Sequence, residues 1–237
     1  MFATVETLNR DTHLFQYQPD AFDCIILDEA HHSSNNIYTK VINYFKPKLF
    51  LGMTATPDKR DDNQQGKNIY EIFHYQIAYE IRLQQAMEED LLCPFHYFGI
   101  SEIISLDDKM LQATKLTDAA FNQLTSDERV RHIIEQSEYY GYSGNRVKGL
   151  IFCRRVKECE ELSKKFNELG YRTVALSGND NEDKRQEAFE RLAMDEEDAT
   201  EDRQPLDYIF SRDILNEGVD IVEVNQVIML RPTQSPI

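Results

Sequence analysis

Basic residues are scarce in this chain. Lys and Arg number 26 against 42 Asp and Glu, a formal net charge of −16 over 237 residues, with a pI near 4.8. Proteins that grip nucleic acid neutralise phosphates with Lys and Arg, so the bulk balance speaks against such a partner, although a local basic groove can sit on an acidic surface. Cysteine is sparse too. The four present (Cys24, Cys93, Cys153, Cys159) form no CxxC pair, which excludes a zinc or disulfide framework. They read as buried, reduced thiols of a cytoplasmic protein, with Cys24 and Cys153 inside apolar strand candidates. No apolar run reaches transmembrane length, no signal-peptide pattern is present, and nothing repeats at a fixed period. None of the nine glycines belongs to a GxxxxGK(S/T) loop, whose amides and lysine would cradle phosphates. What the chain does have is a hydrophobic content of 41%, enough for real cores, and length for two domains.

The central stretch is Cys24-Ile25-Ile26-Leu27-Asp28-Glu29-Ala30-His31, an apolar run that stops at two carboxylates and a histidine. Such a short continuous run predicts a strand buried on both faces, as in a parallel sheet. Its carboxylates then sit at the strand's C-terminal end, where open α/β sheets place their ligands. An Asp there can hold Mg²⁺ beside phosphates, and an adjacent Glu can take a proton from an attacking water. Taken alone, the pair also reads as a mere acidic strand end. A second apolar run, Leu49-Phe50-Leu51-Gly52-Met53, leads into Thr54-Ala55-Thr56-Pro57. Between the two, Ser33 to Lys46 predicts a helix with Ile37, Val41, Ile42 and Phe45 on one face and Pro47 closing it. Strand–helix–strand over this span predicts parallel strands, with Thr54 and Thr56 near Asp28 and His31.

Further along, Met1–Thr4 reads as a strand end running into a helix through Leu8. Residues 76–81 and 96–100 read as strands, with a helix from Leu83 to Leu92 between them. Residues 118–140 read as helical, with Ser126 as a cap before Val130, Ile133 and Ile134. Tyr139, Tyr140 and Tyr142 suit either base stacking or a packed helix end. A second α/β series follows. It has strands at 149–153, 173–176, 207–210 and 226–230, a helix carrying Cys159, Leu162, Phe166 and Leu169 up to Gly170, and a polar helix from Asn181 to Met194. The acidic run 195–202 reads as a solvated, mobile loop.

Asp28-Glu29-Ala30-His31 followed by Thr54-Ala55-Thr56-Pro57 resembles motifs II and III of superfamily 2 helicases of the DEAH type. Ile151-Phe152-Cys153-Arg154-Arg155 resembles motif IV, and Asp213 through Asp220 resembles motif V, in the family's order. The wording of Asn216–Ile221 and Met229–Ser235 is closest to the motor subunits of type I and type III restriction enzymes. The resemblance implies an α/β fold of two RecA-like domains with mainly parallel sheets, the first N-terminally incomplete. Residues 1–93 would hold motifs Ib, II and III, and residues 94–237 motifs IV and V, ending before the arginine-bearing motif VI.

By the same resemblance, Asp28, with Glu29 beside it, would hold Mg²⁺ through water, and Glu29 would deprotonate the water that attacks ATP. His31, Thr54, Ala55 and Thr56 would relay the state of the nucleotide. Gly218 and Asp220 would approach it from the second domain, though Gly218 also suits a turn. Thr4, or Thr7, would touch a nucleic-acid phosphate, or Thr4 simply caps a helix. Arg154 and Arg155 would grip the backbone, or else lie as solvated charge. The implied activity is ATP-dependent movement on, or unwinding of, nucleic acid, DNA in preference to RNA. Lacking the phosphate loop, the chain reads as the central piece of a longer helicase, inactive alone. The alternatives are a non-catalytic helicase-like module that binds nucleic acid or a partner protein, and a metal-dependent hydrolase using Asp28, Glu29, His31 and His32.

Overall fold

The computed structural model describes residues 1–34, 36–56, 69–101, 117–212, 214–215 and 221–231. It divides into two compact units, Met1–Tyr97 and Phe98–Ile237.

In the first unit, helices α1 (Val5–Leu8) and α2 (Asp11–Leu14) precede strand β1 (Cys24–Leu27), a 3₁₀ turn (Ala30–Ser34), helix α3 (Asn36–Tyr44) and strand β2 (Leu49–Gly52). Strands β1 and β2 pair in parallel, Cys24 opposite Leu49 and Leu27 opposite Gly52. That is the predicted β–α–β unit, with the helix starting later than expected because the chain first makes the 3₁₀ turn. Leu14, Ala30 and Phe45 are its buried apolar anchors. Phe22 packs edge-on to Phe45 at 5.4 Å and Phe15 to Tyr44 at 5.4 Å, which seats α3.

Several expectations fail here. Strand β1 is not buried on both faces: Cys24 and Ile26 are exposed while Ile25 and Leu27 are half-buried, so alternate residues divide between a covered and an open face. For the same reason Cys24 is an exposed thiol, and Cys93 is another. Met1–Thr4 is not a strand; Thr4 caps α1 by accepting from the Thr7 amide at 3.3 Å. Residues 76–81 and 96–100 form no strand, because among the described residues no neighbour supplies their ladder hydrogen bonds. Helices α4 (Ile69–Ile72) and α5 (Leu83–Glu88) complete this unit.

The second unit opens with α6 (Asp118–Leu124) and α7 (Asp127–Tyr140), the latter capped by Ser126, whose hydroxyl accepts from the Arg129 amide. Next come β3 (Gly149–Phe152), α8 (Val156–Glu168), β4 (Thr173–Leu176), α9 (Glu182–Ala193), β5 (Tyr208–Ser211) and β6 (Gln226–Met229). All four strands are parallel, in the order β4-β5-β3-β6. Alternating side chains feed two cores. Ile151, Phe210 and Tyr208 pack with Val130, Cys159, Leu162 and Phe166 on one face. Phe152, Ile209 and Leu176 pack with Ala188 and Leu192 on the other. Leu169, expected on the buried face of α8, is exposed as the residue that ends the helix. Tyr139 and Tyr142 are exposed as well, and Tyr140 stacks on Phe98 at 4.1 Å.

The acidic stretch after α9 is exposed, as expected, and its first two carboxylates are paired, while Arg203 beyond it pairs back onto α9. Lys148 Nζ meets Asp195 at 2.8 Å, Arg172 pairs with Glu196, and Arg203 bridges Glu187 and Glu190 at 2.7 Å each. Arg146 donates to the carbonyls of Leu192, Met194 and Leu206, closing the C-terminal end of α9. Lys148, Arg172 and Arg203 hold the carboxylates of Asp195, Glu196 and Glu187 below their ordinary range, and Glu190 is held low by its bond from Gln186 and then by Arg203. Among the described residues, no helix is long and apolar enough to cross a membrane.

Candidate functional site

The pairing of β1 with β2 continues past both strands. Met53 N–H donates to Leu27 O at 2.9 Å, and Ala30 N–H donates back to Met53 O at 2.9 Å. These two bonds lay the turn Asp28-Glu29-Ala30 alongside Met53-Thr54 at the C-terminal rim of the sheet. Glu29 bends the chain there in a left-handed conformation (φ 48°) that non-glycine residues seldom adopt. It is held by its own amide, which donates to Asp28 Oδ1 at 3.0 Å, and by His32 N–H, which donates to Glu29 O at 3.0 Å. Such a conformation costs on the order of 1 kcal/mol and persists where surrounding bonds fix it, commonly at functional sites.

The bend brings side chains of both turns together. His31 is almost fully buried, and its Nδ1 lies 2.9 Å from Thr54 Oγ1 and 3.3 Å from Glu29 Oε2. A carboxylate can only accept, so the geometry assigns the proton to Nδ1, shared between Thr54 and Glu29. Thr54 Oγ1 also accepts from Thr56 N–H at 3.1 Å. Asp28, Glu29, His31 and Thr54 thus form one constellation. Thr56 joins through its amide, and exposed Ala55 forms the turn between.

Asp28 projects into solvent with Oδ1 engaged by the Glu29 amide. An exposed carboxylate at a strand end suits Mg²⁺, which dehydrates reluctantly and takes one or two protein carboxylates plus water and phosphate oxygens. Among the described residues no three His, Cys, Asp or Glu side chains converge as an ion site, so these residues do not build an all-protein metal cage. That argues against the four-ligand metallohydrolase, as does the position of His31, buried with its ring on His32 (centroids 4.0 Å) and its Nδ1 on Thr54.

In the second unit the strand ends carry arginines. Arg154 and Arg155 follow β3, where Cys153 N–H continues the pairing by donating to Ser211 O at 2.9 Å. Both are half-buried, Arg155 stands at the start of α8, and Arg154 N–H donates to Glu158 Oε2 at 3.0 Å, so neither is simply solvated charge. Arg212 follows β5, and Arg231 follows β6 with its guanidinium 5.8 Å from the centre of the Phe152 ring. Arg185 donates to Gly178 O at 3.0 Å beyond β4. Sequence reasoning named two of these five residues; the signal it passed over is a basic residue directly after two more of the parallel strands. Gly218 and Asp220 lie outside the described residues. Thr4 sits in the first unit as the α1 cap.

Comparison with known proteins adds the following. The family "Type III restriction enzyme, res subunit" matches residues 1–59, and "Helicase conserved C-terminal domain" matches residues 127–237. The chain is 22% identical over 240 residues to "Putative ATP-dependent helicase IRC3" of Saccharomyces cerevisiae, covering 98% of this chain and 32% of that protein. It is 27% identical over 224 residues to "Probable helicase A859L" of African swine fever virus, covering 92% of this chain and 23% of that protein. The solved structure of the ATP-dependent type ISP restriction-modification enzyme LlaBIII bound to DNA superposes with a TM-score of 0.62 at 18% identity, covering 98% of this chain and 17% of that one.

Proposed function

We propose, from the premise that this chain is a superfamily 2 helicase relative of the restriction-motor kind, that it couples ATP hydrolysis to movement on nucleic acid, DNA by preference. The observation that carries the reading is the His31–Thr54 bond at 2.9 Å, with Glu29 on the same imidazole nitrogen at 3.3 Å. It ties a carboxylate suited to activating water to a threonine on the neighbouring strand.

Asp28 would carry Mg²⁺ through water, and the metal, when bound, neutralises charge on the phosphates. Glu29 accepts the proton of the attacking water, a role worth ~10²–10⁴ in rate. His31 holds Glu29 and Thr54 in one hydrogen-bonded unit, so that a change at the nucleotide is felt at Thr54. The rim arginines Arg154 and Arg155, with Arg212, would offer cations to a phosphate backbone. The phosphates of ATP need a GxxxxGK(S/T) loop, which these residues do not include, and the proposed activity is that of a polypeptide that also carries one. The salt dependence of nucleic-acid binding would count the phosphate contacts.

The test is ATP turnover with and without single-stranded and duplex DNA, in a protein joining this chain to such a loop, and in this chain alone. Nucleic-acid-stimulated turnover abolished by Glu29→Gln is the expected result, with none from the chain alone. Turnover indifferent to Glu29→Gln sinks the reading. Binding of nucleic acid without any turnover in the longer protein would establish the non-catalytic module instead.

A further inference from the structure

Behind the Asp28–Thr54 rim lies an aromatic ring that the motif resemblance gives no role. Phe73 follows α4, is half-buried, and stacks on Phe50 of β2 with ring centres 4.9 Å apart and planes 18° from parallel. Its edge rests on Gly52. A Cβ placed on Gly52 would meet Phe73 Cζ at 2.4 Å and Cε2 at 2.7 Å, and the Ala30 methyl at 3.0 Å. The bare backbone of Gly52 is therefore a seat shared by Phe73 and Ala30, which any side chain would fill. Ala30 is wholly buried, and its amide makes the bond to Met53 that joins the two rim turns. Helix α4 also packs against the 3₁₀ turn that carries His31.

The chain bends sharply just after the ring. His74 and Tyr75 are consecutive non-glycine residues in the left-handed region, at φ 54° and 57°. Their side chains are exposed, so burial of those side chains does not explain the strain. The bend is closed by Tyr75 N–H donating to Tyr70 O at 2.6 Å and by Gln76 N–H donating to Phe73 O at 3.1 Å. The strained turn closes directly on Phe73, whose carbonyl it engages and whose amide completes α4 through Ile69 O at 3.1 Å.

We propose that Phe73 is a positioning residue for the hydrolytic rim: its ring, wedged on Gly52, clamps Ala30 and thereby fixes the bend at Glu29 and the His31–Thr54 bond. The role in catalysis rests on the function proposed above; the clamp itself does not. The test begins with amide hydrogen exchange in the whole 237-residue chain. Phe73→Ala should speed exchange at Ala30 and Met53 by ~10-fold or more, a local opening that leaves the amides within the β1–β2 ladder unchanged. The His31 ring signals should shift with it. Phe73→Leu, which keeps apolar bulk on Gly52, should restore both readouts. In the protein that also holds a phosphate loop, Phe73→Ala should lower kcat and leave the KM for ATP unchanged.

Unchanged exchange at Ala30 and Met53 overturns the clamp, and so does equal acceleration throughout β1 and β2, which would mark ordinary core packing. If exchange responds as stated while Glu29→Gln leaves turnover intact, the clamp stands and the hydrolytic reading falls. If Glu29→Gln abolishes turnover and Phe73→Ala alters neither kcat nor exchange, the hydrolytic reading stands and the clamp falls.

Discussion

Replacing Glu158 should be the most damaging single change in the second unit. Its side chain and that of Arg129 are both at 0% exposure, with Arg129 Nη1 at 3.0 Å from Glu158 Oε1. The same guanidinium nitrogen donates to Leu124 O at 2.7 Å, and the other Glu158 oxygen accepts from Arg154 N–H. One carboxylate thus neutralises a buried cation, ties α7 to α8, and holds the backbone where β3 gives way to its rim arginines. Removing one member of a buried ion pair strands the other charge and costs about 3–5 kcal/mol. Loss of the bond to Arg154 adds about 1 kcal/mol, the usual worth of a helix-start acceptor. Glu158→Ala should therefore destabilise the unit by ~4–6 kcal/mol. At roughly 3 °C per kcal/mol for a unit of this size, the melting point falls by more than 10 °C. Glu158→Gln keeps an acceptor for Arg154 and loses less. The discriminating variant is Arg129→Met with Glu158→Leu, which removes both charges and should recover most of the loss. Urea unfolding followed by circular dichroism, with amide exchange on α7 and α8, measures all three. A loss under ~1 kcal/mol for Glu158→Ala, or a double variant as unstable as the single one, would refute the account of a buried pair whose cost lies in the stranded charge.

Thr54→Val removes the acceptor of the His31 proton and should cost ~1 kcal/mol in unfolding experiments. In a protein joining this chain to a phosphate loop, and on the proposed function, it should weaken nucleic-acid stimulation of turnover more than basal turnover, as steady-state assays with and without DNA will show. Acid should loosen the second unit. The carboxyls of Asp180, Asp195 and Glu196 are held low by Lys184, Lys148 and Arg172, so their contribution is complete above the unfolded values near ~4 and disappears as pH falls through the lower folded values. A thermal melt series from neutrality downward should be flat to about pH 5 and then decline. Cys24 and Cys93 should react promptly with a thiol reagent. Cys153, whose thiol is pushed up by its bond with Cys159 and by burial, and Cys159 itself should wait for unfolding. Asn167→Ala should raise self-association in sedimentation runs. The Asn167 amide pairs with both Thr173 N–H (2.8 Å) and Thr173 O (3.3 Å), and among the described residues strand β4 is an edge of its sheet.

Strands were legible wherever an apolar run was short, bounded and followed by a helical period, as at 24–27, 49–52, 149–152 and 208–211, while the order β4-β5-β3-β6 of the second sheet was not. The rim constellation was legible as well, since a β–α–β connection fixes which strand ends share an edge. Residues 76–81 misled because alternation describes a segment fit to pair, and pairing also needs a neighbour that the segment itself cannot supply. The acidic run was legible in part. Its composition favours solvent and its side chains are exposed, yet Lys148 and Arg172 reach Asp195 and Glu196 from positions remote in sequence, and no local pattern records that convergence. Arg129 and Glu158 were hidden for the same reason: 29 residues apart, each looks like an ordinary helix-surface charge until two helices bury them together.

The left-handed bend at Glu29 shows where local reading must stop. Any L-residue pays for that backbone, and the apolar run before it gives no hint that the chain will turn so sharply. Bonds inside the turn hold it, and two that exist only after β1 and β2 have paired lock it in place: Ala30 to Met53, and His31 to Thr54. Before pairing, the two turns are independent and only bonds inside the turn hold Glu29 out of the common regions of backbone space. After pairing, its carboxylate lies beside the imidazole, 3.3 Å from His31 Nδ1. The chemistry proposed for this rim is therefore a property of the sheet rather than of the four-residue motif, and a peptide spanning Asp28 to His31 should show none of it.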